Sequence, residues 1–227
     1  GSAQETQGQL EAAAASYRRA LFLKPGSEKV HLSLGAVLMD LEQFDSAITT
    51  YRKLLDIDPN NVEAYGNLGS ACKALGQFSD AVASYRRALE IAPDLAAVHS
   101  NLGGVLYHLG WSNEALESHR RALEIEPDFA EGHFNLGITL QNNGQLKEAL
   151  VEYRRALVIL PGYTDAHNNL GIVLRQTGQF QDAARSFREA LECDSDYVDA
   201  HMNLGVVLKD LGQLDESLVS TYRALEL

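Results

Sequence analysis

A period of 34 residues runs through this chain without insertion or deletion, and it restricts the possible folds more than composition does. The pair Leu34-Gly35 returns at Leu68-Gly69, Leu102-Gly103, Leu136-Gly137, Leu170-Gly171 and Leu204-Gly205. All five prolines, Pro25, Pro59, Pro93, Pro127 and Pro161, fall on the same grid. A fixed period of this size marks a stack of supersecondary units, each touching mainly its neighbours. The 227 residues therefore read as one array, although length alone would allow one or two globular domains.

Within a unit such as 62–95, two amphipathic runs of about 13 residues flank a short Gly-containing turn, here Leu75-Gly76-Gln77. Gly ends the first run by taking a left-handed conformation at little cost. Pro closes the second, because it cannot continue a helix and restrains the residue before it. Glu42 and Ser195 stand where the period expects Gly and Pro. Residues 1–2 read as a cloning scar. Residues 3–27 hold a partial unit, with apolar positions at helical spacing over 9–23. Complete units follow at 28–61, 62–95, 96–129, 130–163 and 164–197, and 198–227 stops short of its final turn. The expected fold is all-α: thirteen helices in antiparallel pairs, wound as a right-handed superhelical solenoid. The core stripe is Ala64, Leu68, Ala71, Cys72 and Leu75 on the first helix, and Ala81, Tyr85, Ala88 and Leu89 on the second, with their equivalents. The Gly of Leu-Gly and the small Ala47, Ala81, Ala115, Ala149 and Ala183 let paired helices approach closely.

Thirty-one acidic against nineteen basic residues give a net charge of −12, a poor surface for phosphate backbones, so nucleic acid is not an expected partner. No apolar run approaches the roughly 18–20 residues that span a bilayer, which argues for a soluble protein with no membrane partner. Cys72 reads as a buried small hydrophobe and Cys193 as a helix-terminal thiol without a partner. A cytoplasmic location fits such cysteine usage.

The repeated order of aromatic, Leu-Gly, Ala-x-x-x-aromatic and Pro resembles the tetratricopeptide repeat. Its Ala-x-x-x-aromatic element stands at Ala47/Tyr51, Ala81/Tyr85, Ala149/Tyr153 and Ala183/Phe187, with weaker copies at Ala115/His119 and Ser217/Thr221. One departure recurs: the leading aromatic of the family is His at His31, His99, His133, His167 and His201, with Tyr65 the exception. The resemblance implies a non-catalytic module that binds protein or peptide on its concave face.

Three constellations invite a chemical reading. The five in-phase histidines sit one repeat apart, about 10 Å on packed helices, whereas zinc needs its ligands within about 2.0–2.3 Å of one point. They read as rings packed at an inter-helix seam, and no metal or cofactor is expected. The Tyr-Arg-Arg-Ala-Leu-Glu run offers Arg86/Glu90, Arg120/Glu124 and Arg188/Glu192 at i, i+4, a solvated outer face. The third constellation is Asn67, Asn101, Asn135, Asn169 and Asn203, each directly before Leu-Gly and broken only by Ser33. A carboxamide has an acceptor and two donors, which suits a peptide group. At about 3.3 Å per extended residue, one Asn per repeat would meet every third peptide unit. The alternative, that each Asn bonds a neighbouring helix, stays open at this stage.

The asparagine row also resembles that of the superhelical arm of O-linked N-acetylglucosamine transferases, which holds substrate peptides. Segments such as Ala166-His167-Asn168-Asn169-Leu170-Gly171 carry that likeness. Tyr107, Phe134, Ile138, Ile172 and Met202, with Val206, are the side chains expected to form pockets beside the row. The two-carboxylate clamp of chaperone-tail binders is missing, since Leu32, Ala36, Ala97 and Asn101 occupy its places. No nucleophile–base pair or phosphate loop is visible, so the chain is not expected to be an enzyme. Both ends are cut within a repeat, which suggests a fragment of a longer array; as an alternative function, an assembly scaffold would self-associate through those ends.

Overall fold

The computed structural model describes residues 2–227, with side chains from residue 7 onwards. Its thirteen described α-helices are α1 (Ser2–Leu23), α2 (Glu28–Asp40), α3 (Phe44–Ile57), α4 (Val62–Ala74), α5 (Phe78–Ile91), α6 (Ala96–His108), α7 (Ser112–Ile125), α8 (Ala130–Asn142), α9 (Leu146–Ile159), α10 (Thr164–Gln176), α11 (Phe180–Cys193), α12 (Val198–Asp210) and α13 (Leu214–Glu226). Even-numbered helices are the first of each repeat and odd-numbered ones the second, as the period predicts. The chain forms two compact units, residues 1–118 and 119–227. Within the first, α1 to α6 pack in sequence, and α2, α4 and α6 also neighbour one another. Within the second, α8 to α13 do the same, with α8, α10 and α12 side by side.

The turns follow the glycine grammar. Gly76, Gly110, Gly144, Gly178 and Gly212 take φ between 70° and 79°. At the first of these, Gly76 donates its N–H to the carbonyl of Lys73 at 3.0 Å and Gln77 donates to Cys72 at 2.9 Å. Those two bonds satisfy carbonyls that a helix end otherwise leaves bare. Glu42 stands in the same place with φ 55°, a non-glycine residue held in the left-handed region.

The core is a repeated lock of ring on glycine. The rings of Tyr51, Tyr85, Tyr153 and Phe187 lie against Gly35, Gly69, Gly137 and Gly171, where a Cβ would collide with them. Those four rings are essentially fully buried, as are Ala47, Ala81, Ala149 and Ala183. Burial pushes the Tyr85 hydroxyl up to about 12, and its oxygen lies 3.1 Å from the Ser70 hydroxyl. The expected core stripe needs one correction: Leu75 is 36% exposed, because it caps α4 where the chain turns away. Leu89 is part-buried at the edge of the core.

Candidate peptide-binding face

Within each compact unit the first helices of successive repeats neighbour one another directly, so residues that bridge them mark the face they share. Lys73 on α4 donates to the carboxamide oxygen of Asn101 on α6 at 3.0 Å. In the second unit, Asn203 on α12 donates to Asn168 on α10 at 2.9 Å, and Arg175 on α10 reaches Asp210 on α12 at 2.8 Å. Asn101 in the first unit and Asn203 in the second therefore lie on the face that neighbouring first helices share.

All five asparagines of the row are half-buried. Asn101 and Asn203 use one half of the carboxamide on the bonds just described, and Asn169 lies near the hydroxyl of Tyr153, which donates to Gln141 Oε1 at 2.7 Å. Asn67 makes no hydrogen bond to another described side chain. The structure thus gives the row partners within the chain at Asn101 and Asn203, and Asn135 is engaged as well. The carboxamides so engaged keep hydrogen-bonding capacity, since each has an acceptor and two donors.

The expected pocket residues divide between the two units. Met202 is 55% exposed and Val206 is also exposed, while Ile138 and Ile172 are half-buried. Phe134 is packed rather than open: its ring sits 4.8 Å from that of Tyr163 and 5.9 Å from that of Tyr153. In the first unit, Tyr107 lies 5.8 Å from the His108 ring, which stacks on Phe78 at 5.2 Å.

Sequence reasoning missed several features of this face. Asn168 is buried and anchors Asn203; its signal was a polar residue where neighbouring repeats carry Phe134 and Met202. The exposed acidic residues Glu131, Asp165 and Asp199 open α8, α10 and α12. Tyr197 donates to Asp165 Oδ1 at 2.6 Å.

The histidines do more than pack. His99, His133, His167 and His201 each place Nε2 2.8–3.0 Å from the carbonyl of the residue six earlier, namely Pro93, Pro127, Pro161 and Ser195. A carbonyl can only accept, so Nε2 carries the proton and each ring clips the inter-repeat loop to the helix that follows. The bond uses the backbone, which explains why Ser195 serves as well as proline. His133 also sets Nδ1 2.6 Å from Glu152.

The expected i, i+4 pairs on the outer face are replaced by pairs between repeats. Arg86 reaches Glu114 at 2.7 Å rather than Glu90, Arg120 reaches Glu148 at 3.7 Å, and Arg188 reaches Glu216 at 3.0 Å. Arginine four residues before glutamate is the poorer order within a helix, and the second helix of the following repeat offers a carboxylate instead. Glu90 and Glu124 pair instead with Arg87 and Arg121 at i, i+3. Cys72 is buried, with its thiol pushed up by burial and then by Asp80, and Cys193 is exposed. Among the described residues no group of three or more His, Cys, Asp or Glu could hold a metal ion. No described helix is long and apolar enough to cross a membrane.

Comparison with known proteins gives a consistent picture. TPR-repeat profiles match residues 37–76 and 69–110, and tetratricopeptide-repeat profiles match 96–129, 128–196 and 168–226. No curated protein matches. Among solved structures, MamA is 26% identical with a TM-score of 0.65, over 71% of this chain and 95% of that one. YrrB, described as a TPR protein with an unusual peptide-binding site, is 24% identical with a TM-score of 0.63, over 82% of this chain and 96% of that one. PilW, a type IV pilus biogenesis factor, is 23% identical with a TM-score of 0.78, over 85% and 90%. At such identities the last two speak to the fold alone.

Proposed function

Because the chain belongs to the tetratricopeptide-repeat family, we propose that it is a protein-interaction module that holds extended peptide segments along the face that its first helices share within each compact unit. The observation that carries this reading is the row of half-buried carboxamides at Asn67, Asn101, Asn135, Asn169 and Asn203. Such a row reads backbone rather than sequence. Each such hydrogen bond contributes about 0.5–1.5 kcal/mol net, against an association cost of at least about 4 kcal/mol. The row alone would bind weakly. Exposed Met202 and Val206, with Ile138 and Ile172, supply the apolar contact that raises affinity.

Binding to an unbiased peptide library tests this, with wild type compared to the variant in which all five asparagines become Ala. Circular dichroism establishes that both are folded. Capture of extended peptides by wild type and their loss by the variant is the expected result. Equal binding, or none by either, would make the asparagines structural. A narrower reading, the substrate-holding arm of a glycosyltransferase, rests on the asparagine row alone, and none of the neighbours named above points to it. Capture limited to Ser- and Thr-containing segments would favour it.

A further inference from the structure

The face of the second unit carries three parallel rows that repeat at the 34-residue period. The first is aliphatic: Ile138, Ile172 and Val206, with Met202 exposed beside them. The second is Asn135, Asn169 and Asn203. The third is acidic, with exposed Glu131, Asp165 and Asp199 in the first turns of α8, α10 and α12. At the other end of these helices Arg175 is tied to Asp210 at 2.8 Å, so three carboxylates set the field of this face against Lys209. The first unit lacks the pattern. Its equivalents to the acidic row on α4 and α6 are Glu63 and Ala97, and to the aliphatic row Ser70 and Gly104.

Spacing decides which backbone such rows can read. Packed helices lie about 8–10 Å apart. A β-strand alternates its faces, so residues three apart, at about 10 Å, point to opposite sides. A polyproline II segment has three residues per turn and advances about 3.1 Å for each, so every third side chain returns to the same side after about 9.3 Å. That step matches one helix per turn.

We infer that the second unit's face binds a polyproline-II-like peptide segment in which a basic residue recurs at every third position, with aliphatic residues between. The basic side chains meet Glu131, Asp165 and Asp199, and the aliphatic ones lie on Ile138, Ile172, Val206 and Met202. Tyr197 occupies only Oδ1 of Asp165, which leaves the second oxygen as an acceptor. This inference rests on the peptide-binding reading above and narrows it to a partner chemistry. Acidic residues in a first turn also complement the helix dipole, and the test separates the two roles.

The experiment measures fluorescence anisotropy of labelled peptides on the whole chain at low salt. The peptides are three Lys-Pro-Val triplets, the same residues in scrambled order, and the Glu and Gln versions of the triplet. The Lys triplet is expected to bind tightest, the scrambled peptide several-fold weaker, and the Glu triplet not measurably. Exposed ion pairs contribute about two- to fivefold each, so E131Q/D165N/D199N should cost the Lys triplet roughly tenfold and leave the Gln triplet unchanged. Added salt should weaken the Lys triplet alone on wild type, a readout that needs no variant to fold. If Lys, Gln and Glu triplets bind alike, or order makes no difference, the inference is overturned while the peptide-binding reading stands. If none binds and the library captures nothing, both fall.

Discussion

Gly69→Ala and Gly66→Ala, three residues apart on α4, should move stability in opposite directions. Intrinsic helix propensity treats them alike, since Ala is favoured over Gly inside a helix by about 0.8–1.0 kcal/mol. Their surroundings differ. A Cβ on Gly66 would meet only Val98 Cγ2, at 3.8 Å, which is ordinary contact. A Cβ on Gly69 would fall 2.6 Å from Cε1 and 2.7 Å from Cδ1 of Tyr85. Carbon atoms rest about 3.5–4.0 Å apart, so the ring would have to retreat by about 1 Å. It has no room to do so, being 0% exposed in the buried cluster that holds Ala81 and Val82, with its hydroxyl beside Ser70. Overpacking of a tight core costs about 1–3 kcal/mol. Subtracting the propensity gain leaves Gly69→Ala destabilising by up to about 2 kcal/mol, whereas Gly66→Ala stabilises by up to about 1 kcal/mol. Urea denaturation followed by far-ultraviolet circular dichroism resolves a difference of that size. Adding Tyr85→Leu to Gly69→Ala should restore more stability than the separate effects sum to, because the clash is shared. If Gly69→Ala proves as stable as Gly66→Ala, the ring-on-glycine lock does not hold the repeats together as argued.

Two further predictions concern residues that break the repeat pattern. His119 is 1% exposed in the place that Tyr51, Tyr85, Tyr153 and Phe187 take in other repeats, and burial pushes its imidazole down to about 4 from an ordinary 6.5. The unfolded chain then binds a proton that the folded chain refuses between those values, so stability is full above about pH 6.5 and falls as pH drops towards 4, by about 3 kcal/mol. His119→Phe should remove that loss while every other group titrates as before, so parallel stability curves for the two proteins between pH 7 and 4 would refute the assignment. Glu42, at φ 55°, occupies the position that glycine holds in the other turns; Glu42→Gly should stabilise by about 1 kcal/mol, read as a higher urea midpoint, and an unchanged or lower midpoint would count against strain at that turn.

The thirteen helices, the antiparallel pairs, the turn glycines and the buried rings are all legible in the chain itself, because each follows from local rules. A helix ends where Gly can turn left-handed, and an apolar stripe at helical spacing must be covered. The candidate face rests on the same period, which places one Asn at one register of every first helix but α2, where Ser33 stands. Which atom meets which was decided by tertiary structure. Arg86 pairs with Glu114 in the next repeat instead of Glu90 on its own helix, and Asn203 spends its amide on a buried Asn168. The histidines clip carbonyls that belong to the preceding loop. Each of these choices depends on distances between segments that helical periodicity does not relate. Within one helix the 3.6-residue turn fixes who can be neighbours; between helices only their packing brings partners to about 3 Å, and there a polar side chain takes the closest group that completes its hydrogen bond.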